Sequence, residues 1–150
     1  MLTKSGPKVL EFNARFGDPE TQVYLPRLEN DLAELLVASV EGTLANTELK
    51  WSPMPSVCVV MASAGYPGSY VKGKPIQGLA EAARLRNTKV FHAGTARAGD
   101  QIVATGGRVL GVTAWAKDLR SARDAAYAAV ETIRFEGAHF RRDIVGKALR

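Results

Sequence analysis

The chain holds a single cysteine in 150 residues, which excludes an intrachain disulfide and any metal centre built on several thiolates. That residue, Cys58, lies in the apolar run Val57, Cys58, Val59, Val60, Met61 and reads as a small core side chain. No apolar run approaches the roughly 18 residues that span a bilayer, and the opening MLTKSGPK has no hydrophobic stretch of a secretory leader. No membrane partner and a cytoplasmic location are therefore expected. Aromatic residues make up only 7% of the chain, and none of the aromatic-rich patterns of RNA-binding sheets accompanies its basic residues. Nucleic acid is not an expected partner. There is no internal repeat and no low-complexity tract.

What is present is an ordinary globular composition, 46% hydrophobic and 23% charged, long enough for one mid-sized domain or a small domain plus a piece of another. The net charge of +5 conceals a split: residues 1–50 carry five Lys/Arg against eight Asp/Glu, a net −3, and residues 51–150 carry fifteen against seven, a net +8. The sign changes beside Trp51-Ser-Pro-Met-Pro55, which interrupts regular structure twice. The boundary between two units is expected within residues 43–55, with residues 1–48 forming one and residues 49–150 the other.

In the first unit, residues 9–12 predict a strand that runs into a loop at Asn13, because Gly17, Asp18 and Pro19 are consecutive turn formers. Leu32, Leu35, Leu36 and Val40 have helical spacing behind an Asp31/Glu34 capping pair, with Gly42 as the stop. In the second unit, short apolar runs at 57–61, 89–92, 102–104 and 108–115 alternate with glycine turns, among them Gly65-Tyr-Pro-Gly68 and Gly106-Gly107. They predict a small twisted sheet. Ala80, Ala82 and Ala83 read as one alanine-rich turn, and Asp118 opens a helix with Leu119, Ala122, Ala126, Val130 and Ile133 on one face. The fold class is α+β.

Chemistry concentrates in VLEFNARFGDPETQ, residues 9–22. On an extended strand Glu11 and Asn13 leave the same face, about 7 Å apart along the chain, and a carboxylate with an amide carbonyl makes a hard-oxygen pair suited to Mg²⁺ or Mn²⁺ shared with nucleotide phosphates. Arg15 has the same parity, and its planar guanidinium suits a carboxylate or a phosphoryl group. By spacing alone, a strand end with a surface Glu and a turn Asn reads the same way. His92 reads as a structural hydrogen-bonding histidine and His139 as a surface residue.

The longer run Arg15-Phe-Gly-Asp-Pro-Glu-Thr-Gln22 resembles the signature octapeptide of the glycinamide ribonucleotide synthetase (phosphoribosylamine-glycine ligase) family of the ATP-grasp superfamily. The resemblance continues through residues 28–36 and through Ala64-Gly-Tyr-Pro-Gly68, Val90-Phe-His-Ala-Gly-Thr95, Gly106-Gly-Arg-Val-Leu110, Val112-Thr-Ala114 and Arg142-Asp-Ile144. One departure is Asp143-Ile-Val-Gly146, where the family usually reads Asp-Ile-Gly. Another ATP-grasp carboxylate-amine ligase would share the acid and amide but not the R-F-G-D-P-E run.

The resemblance implies that residues 1–48 are the C-terminal strand and helix of an ATP-grasp core, and residues 49–150 the ligase's small α/β C-terminal domain, a short mixed sheet with a packed helix. It implies an ATP-dependent carbon-nitrogen ligase of purine biosynthesis: ATP phosphorylates glycine, and 5-phosphoribosylamine attacks the glycyl phosphate. Glu11 and Asn13 would hold the Mg²⁺ or Mn²⁺, Arg15 would meet the anionic substrates, and Asp18 would orient an amine or the arginine. Gly106, Gly107 and Arg108 would contact the ribose 5-phosphate, although a hairpin turn accounts for the two glycines equally well. The N-terminal and lid domains of that enzyme would lie before Met1, leaving the isolated chain inactive. A stand-alone non-catalytic module, or a subunit whose partner supplies those domains, is the alternative.

Overall fold

The computed structural model of the protein describes residues 1–12 and 14–149. In chain order the elements are β1 (Leu2–Thr3), β2 (Gly6–Pro7), α1 (Thr21–Tyr24), α2 (Leu32–Val40), β3 (Ser56–Ala62), β4 (Lys74–Pro75), α3 (Leu79–Ala83), β5 (Thr88–His92), β6 (Thr95–Ala98), β7 (Gln101–Ala104), β8 (Arg108–Trp115), α4 (Leu119–Thr132) and β9 (His139–Phe140). A 3-10 turn, Leu25–Arg27, follows α1 directly. No helix among the described residues is long and apolar enough to cross a membrane.

The centre is a four-stranded sheet in the order β5-β8-β3-β9, joined at one end to a three-stranded sheet in the order β4-β7-β6. Every strand pair among the described residues is antiparallel, so the short sheet expected to be mixed is not. The physical reason is the connection: β6 and β7 are joined by a tight turn at Gly99 and Asp100, with Gly99 at φ +59°, and a turn of that length can only reverse the chain.

Because side chains alternate across a strand, β3 and β8 present two different faces. Val57, Val59, Met61, Leu110, Val112 and Ala114 belong to the main core with Ala122, Ala126, Ala129 and Val130 of α4. The small side chains let the helix lie close on the sheet, and each fully buried valine, leucine or methionine contributes roughly 1.5–3 kcal/mol. Asp118 caps α4 as expected, accepting from the Ser121 amide at 2.7 Å.

On the opposite face the strands carry Ser56, Cys58, Gly111 and Thr113, and here α1 docks. Ser56 Oγ donates to the Val23 carbonyl at 2.6 Å, and Thr113 Oγ1 to the Gln22 carbonyl at 3.0 Å. Each sheet hydroxyl therefore satisfies a helical carbonyl that α1 is too short to satisfy itself. Burial pushes the Cys58 thiol up, with its contact to the Thr113 hydroxyl opposing and the Asp18 charge adding to the rise. The folded chain is expected to resist thiol labelling at pH 8 and to react on unfolding in urea; prompt labelling of the folded chain would show that this face is open. Because the folded value is raised, the associated stability is present below the unfolded pKa of about 8.5 and is lost as pH rises toward the folded value.

The strand expected over residues 9–12 is the main departure: these residues join no described sheet. Val9, Leu10 and Phe12 are 69%, 75% and 87% exposed. A strand needs a neighbour to pair with, and among the described residues none pairs with this segment. Helix α2 forms as predicted, with Asp31 accepting from the Ala33 amide at 2.7 Å and Gly42 at φ +73° beyond its end. Its Leu35 is buried. The residues around the expected boundary tie down the segment before α2: the Glu29 amide donates to the Lys50 carbonyl at 3.0 Å and the Ser52 amide to the Arg27 carbonyl at 2.8 Å.

The alanine-rich turn is the helix α3. The departure at 143–146 leaves Val145 at φ +67°, where a branched side chain is strained, packed against the core.

Candidate active site at the junction of loop and sheet

The turn before α1 places the candidate residues. Thr21 donates its amide to the Gly17 carbonyl at 3.1 Å and its hydroxyl to the same oxygen, closing residues 17–21 into one turn. The Phe16 ring packs 6.2 Å from Tyr24, pinning the loop to the helix it precedes. The Asp18-Pro19 peptide is cis.

Arg108 reaches this turn from ninety residues away. Opposite β3, Met61 pairs with Leu110 and Ala62 with Arg108, so Val109 is a bulge. The extra residue lets both Val109 and Leu110 enter the core and turns Arg108 to the α1 face. There its Nη2 meets Asp18 Oδ2 at 3.0 Å and its Nη1 donates to the Asp18 carbonyl at 2.9 Å. The Asp18 carboxylate also accepts from Gln22 Nε2 at 3.0 Å. The arginine that Asp18 pairs with among the described residues is Arg108, where the expected one was Arg15.

Glu11, Arg15, Gly17, Asp18, Glu20 and Arg108 line one open cavity of about 440 Å³. Three carboxylates face two guanidiniums there, an arrangement that can hold a cation and an anion side by side. Arg15 donates to the Phe16 carbonyl at 3.1 Å. Asn13, the second expected metal ligand, lies outside the described residues. Among the described residues no three His, Cys, Asp or Glu side chains gather as a metal cage. The donor set therefore fits a cation held by one or two protein oxygens and completed by water and phosphate, as Mg²⁺ commonly is.

Of the three residues expected at the ribose phosphate, only Arg108 lines the cavity. Gly106 gives its N–H to the Gly94 carbonyl at 3.1 Å, and its own carbonyl accepts from Ser63 Oγ at 2.8 Å. Gly107 packs on the Tyr66 ring, which would lie 2.2 Å from a Cβ at that position. These glycines do not form the loop of a hairpin: they sit where β7 passes from one sheet into β8 of the other. His92 Nδ1 shares a hydrogen bond with Thr95 Oγ1 at 3.0 Å. Sequence reasoning missed Gln22, quoted as the last residue of the octapeptide but given no role. The hydroxyls of Ser56 and Thr113, polar at alternate positions in apolar strands, were the signal that something docks on that face.

The family model for the phosphoribosylglycinamide synthetase C domain matches residues 56–147. The chain is 55% identical over 150 residues to phosphoribosylamine-glycine ligase of Rhodopirellula baltica, covering 99% of this chain and 34% of that protein. It is 56% identical over 150 residues to the chloroplastic phosphoribosylamine-glycine ligase of Arabidopsis thaliana, covering 98% of this chain and 28% of that protein. The crystal structure of phosphoribosylamine-glycine ligase from Thermotoga maritima superposes with a TM-score of 0.70 at 34% identity, covering 96% of this chain and 35% of that one. The chain thus spans about a third of the length of the relatives it matches.

Proposed function

The chain belongs to the phosphoribosylglycinamide synthetase family, and from that premise we propose that it supplies the C-terminal part of an ATP-dependent ligase that joins glycine to 5-phosphoribosylamine. In this reading ATP phosphorylates the glycine carboxylate, the amine attacks the glycyl phosphate, and ADP, phosphate and glycinamide ribonucleotide leave, a step of purine biosynthesis. Residues 1–48 are the end of the ATP-grasp core and residues 49–150 the C-terminal domain. The observation that carries the proposal is the shared cavity of Glu11, Arg15, Asp18 and Arg108.

The reaction brings two anions together, so the site must neutralise charge where it accumulates. Glu11 borders the cavity and, with Asn13, would hold Mg²⁺ or Mn²⁺. That ion, when bound, supplies charge neutralisation on the phosphate oxygens. Arg15 meets the substrate carboxylate or the transferring phosphoryl group. A buried, unpaired Cys58 suits a reducing compartment such as the cytoplasm.

The remaining ATP-grasp segments are the proposed partner of the first unit's apolar side. Phe16, Leu28, Leu32, Leu36, Leu49 and Trp51 line an apolar groove of about 260 Å³, and elsewhere in the first unit Phe12 and Val40 are 87% and 90% exposed. Side chains so uncovered in a soluble enzyme mark a surface meant to be covered. The test is ADP release. The 150-residue chain alone is expected to show no glycine-dependent ATP hydrolysis, and the same chain placed behind the preceding segments of the Rhodopirellula relative is expected to show turnover that needs both glycine and phosphoribosylamine. Glycine-dependent hydrolysis by the isolated chain would overturn the proposal.

A further inference from the structure

One residue of the loop is gripped on three oxygens by two partners. Arg108 Nη1 donates to the Asp18 carbonyl and Arg108 Nη2 pairs with Oδ2, while Gln22 Nε2 donates to Oδ1. The two grips are themselves anchored in the sheet. Behind Gln22, its carbonyl is held by Thr113 Oγ1 at 3.0 Å. Behind Arg108, the strand is set by the bulge at Val109 and by the Gly94 amide, which donates to the Arg108 carbonyl at 3.0 Å.

Resting on the ligase reading, we infer that Arg108 and Gln22 are positioning residues: together they clamp Asp18 and so fix the loop that carries Glu11 and Arg15 against the C-terminal sheet. The second unit thereby sets the geometry of a site whose reacting groups belong to the first. Two observations separate this role from substrate binding. A guanidinium that holds the main-chain and side-chain oxygens of one residue fixes its orientation as well as its place, which a single ammonium cannot do. The Gln22 amide, moreover, is aimed at the carboxylate although its Oε1, buried, has no hydrogen-bond partner among the described residues. The opposite orientation would set oxygen against oxygen.

In a ligase carrying this chain as its C-terminal part, Arg108→Gln is expected to lower kcat about 100-fold, the scale of a misplaced reacting group. KM for the phosphorylated amine should stay within about twofold, as for a residue that does not hold the substrate. Arg108→Lys should not rescue the loss. Gln22→Glu should lower kcat near neutral pH and recover as pH falls, because one of two facing carboxyls then takes up a proton and donates. A raised KM for the amine at unchanged kcat would overturn the inference and give Arg108 to the substrate phosphate. In the 150-residue chain, where no activity is needed, Asp18→Asn and Arg108→Gln should couple in a double-mutant cycle of urea unfolding, the second substitution adding little to the first. Additive losses would also overturn the clamp. If the unmutated ligase shows no glycine-dependent turnover, the functional reading alone fails, and the cycle still decides the clamp.

Discussion

Replacing Gly94 with alanine is expected to destabilise the chain by about 3–5 kcal/mol, a large part of the roughly 5–15 kcal/mol that holds a domain of this size together. An added Cβ would lie 2.5 Å from Gly106 Cα, 2.6 Å from the Arg108 carbonyl oxygen and 2.7 Å from the Gly106 nitrogen. All three are backbone atoms, so no rotamer change can relieve the overlap, and one strand must move away from the other. Moving it breaks the hydrogen bonds that join the crossing: Gly94 to the Arg108 carbonyl at 3.0 Å, Thr105 to the Gly94 carbonyl at 2.7 Å, and Gly106 to the same oxygen at 3.1 Å. Three bonds at about 1 kcal/mol each, with overpacking of about 1–3 kcal/mol, give the expected range once partial relaxation is allowed.

Urea unfolding measures the effect, with Gly99→Ala as the comparison. Gly99 has a positive φ but open space around it, so its cost is backbone strain alone, about 1–2 kcal/mol. Equal midpoints for the two variants would mean that the strands do not cross as closely as described. The crossing also matters for the site, because the carbonyl that Gly94 binds belongs to Arg108. A variant that survives folding should therefore lose the Asp18 clamp before it loses the core.

What could be read from the chain in advance follows how local each determinant is. The strand Arg108–Trp115 and the helices behind Asp31 and Asp118 were legible because alternation, helical spacing and a capping carboxylate act within a few residues. The strand expected over 9–12 was not found because pairing is a property of the neighbour, and the pattern of one segment cannot show whether a neighbour exists. α1 was missed because four residues behind a proline carry too little periodicity to register; its stability comes from Ser56 and Thr113 far along the chain. For the same reason the site was half legible. Glu11, Arg15 and Asp18 announced themselves in one short run, whereas the pairing of Asp18 with Arg108 spans ninety positions and depends on a bulge at Val109 that no local pattern marks.

Arg15→Ala, in a ligase carrying this chain, is expected to reduce kcat on the order of 10³-fold, the scale on which a guanidinium at a transferring phosphoryl group acts. The unfolding midpoint of the chain should hardly change. Arg15 is exposed, belongs to no part of the core and makes its described hydrogen bond to the carbonyl of the next residue. Its distinction is electrostatic. Of the two guanidiniums in the cavity, Arg108 is paired with Asp18 at 3.0 Å, and among the described residues Arg15 forms no ion pair. Arg15 is therefore the cation left to meet incoming negative charge, and losing it leaves Glu11 and Glu20 facing anionic substrates across the same space. The kinetic pattern then identifies which anion it meets. A fall in kcat with KM for glycine unchanged places the guanidinium on charge that develops during phosphoryl transfer, whereas a matching rise in KM for glycine places it on the ground-state carboxylate. Retention of kcat/KM for glycine within about tenfold would remove Arg15 from the site altogether, since a cation at either position is worth more than that.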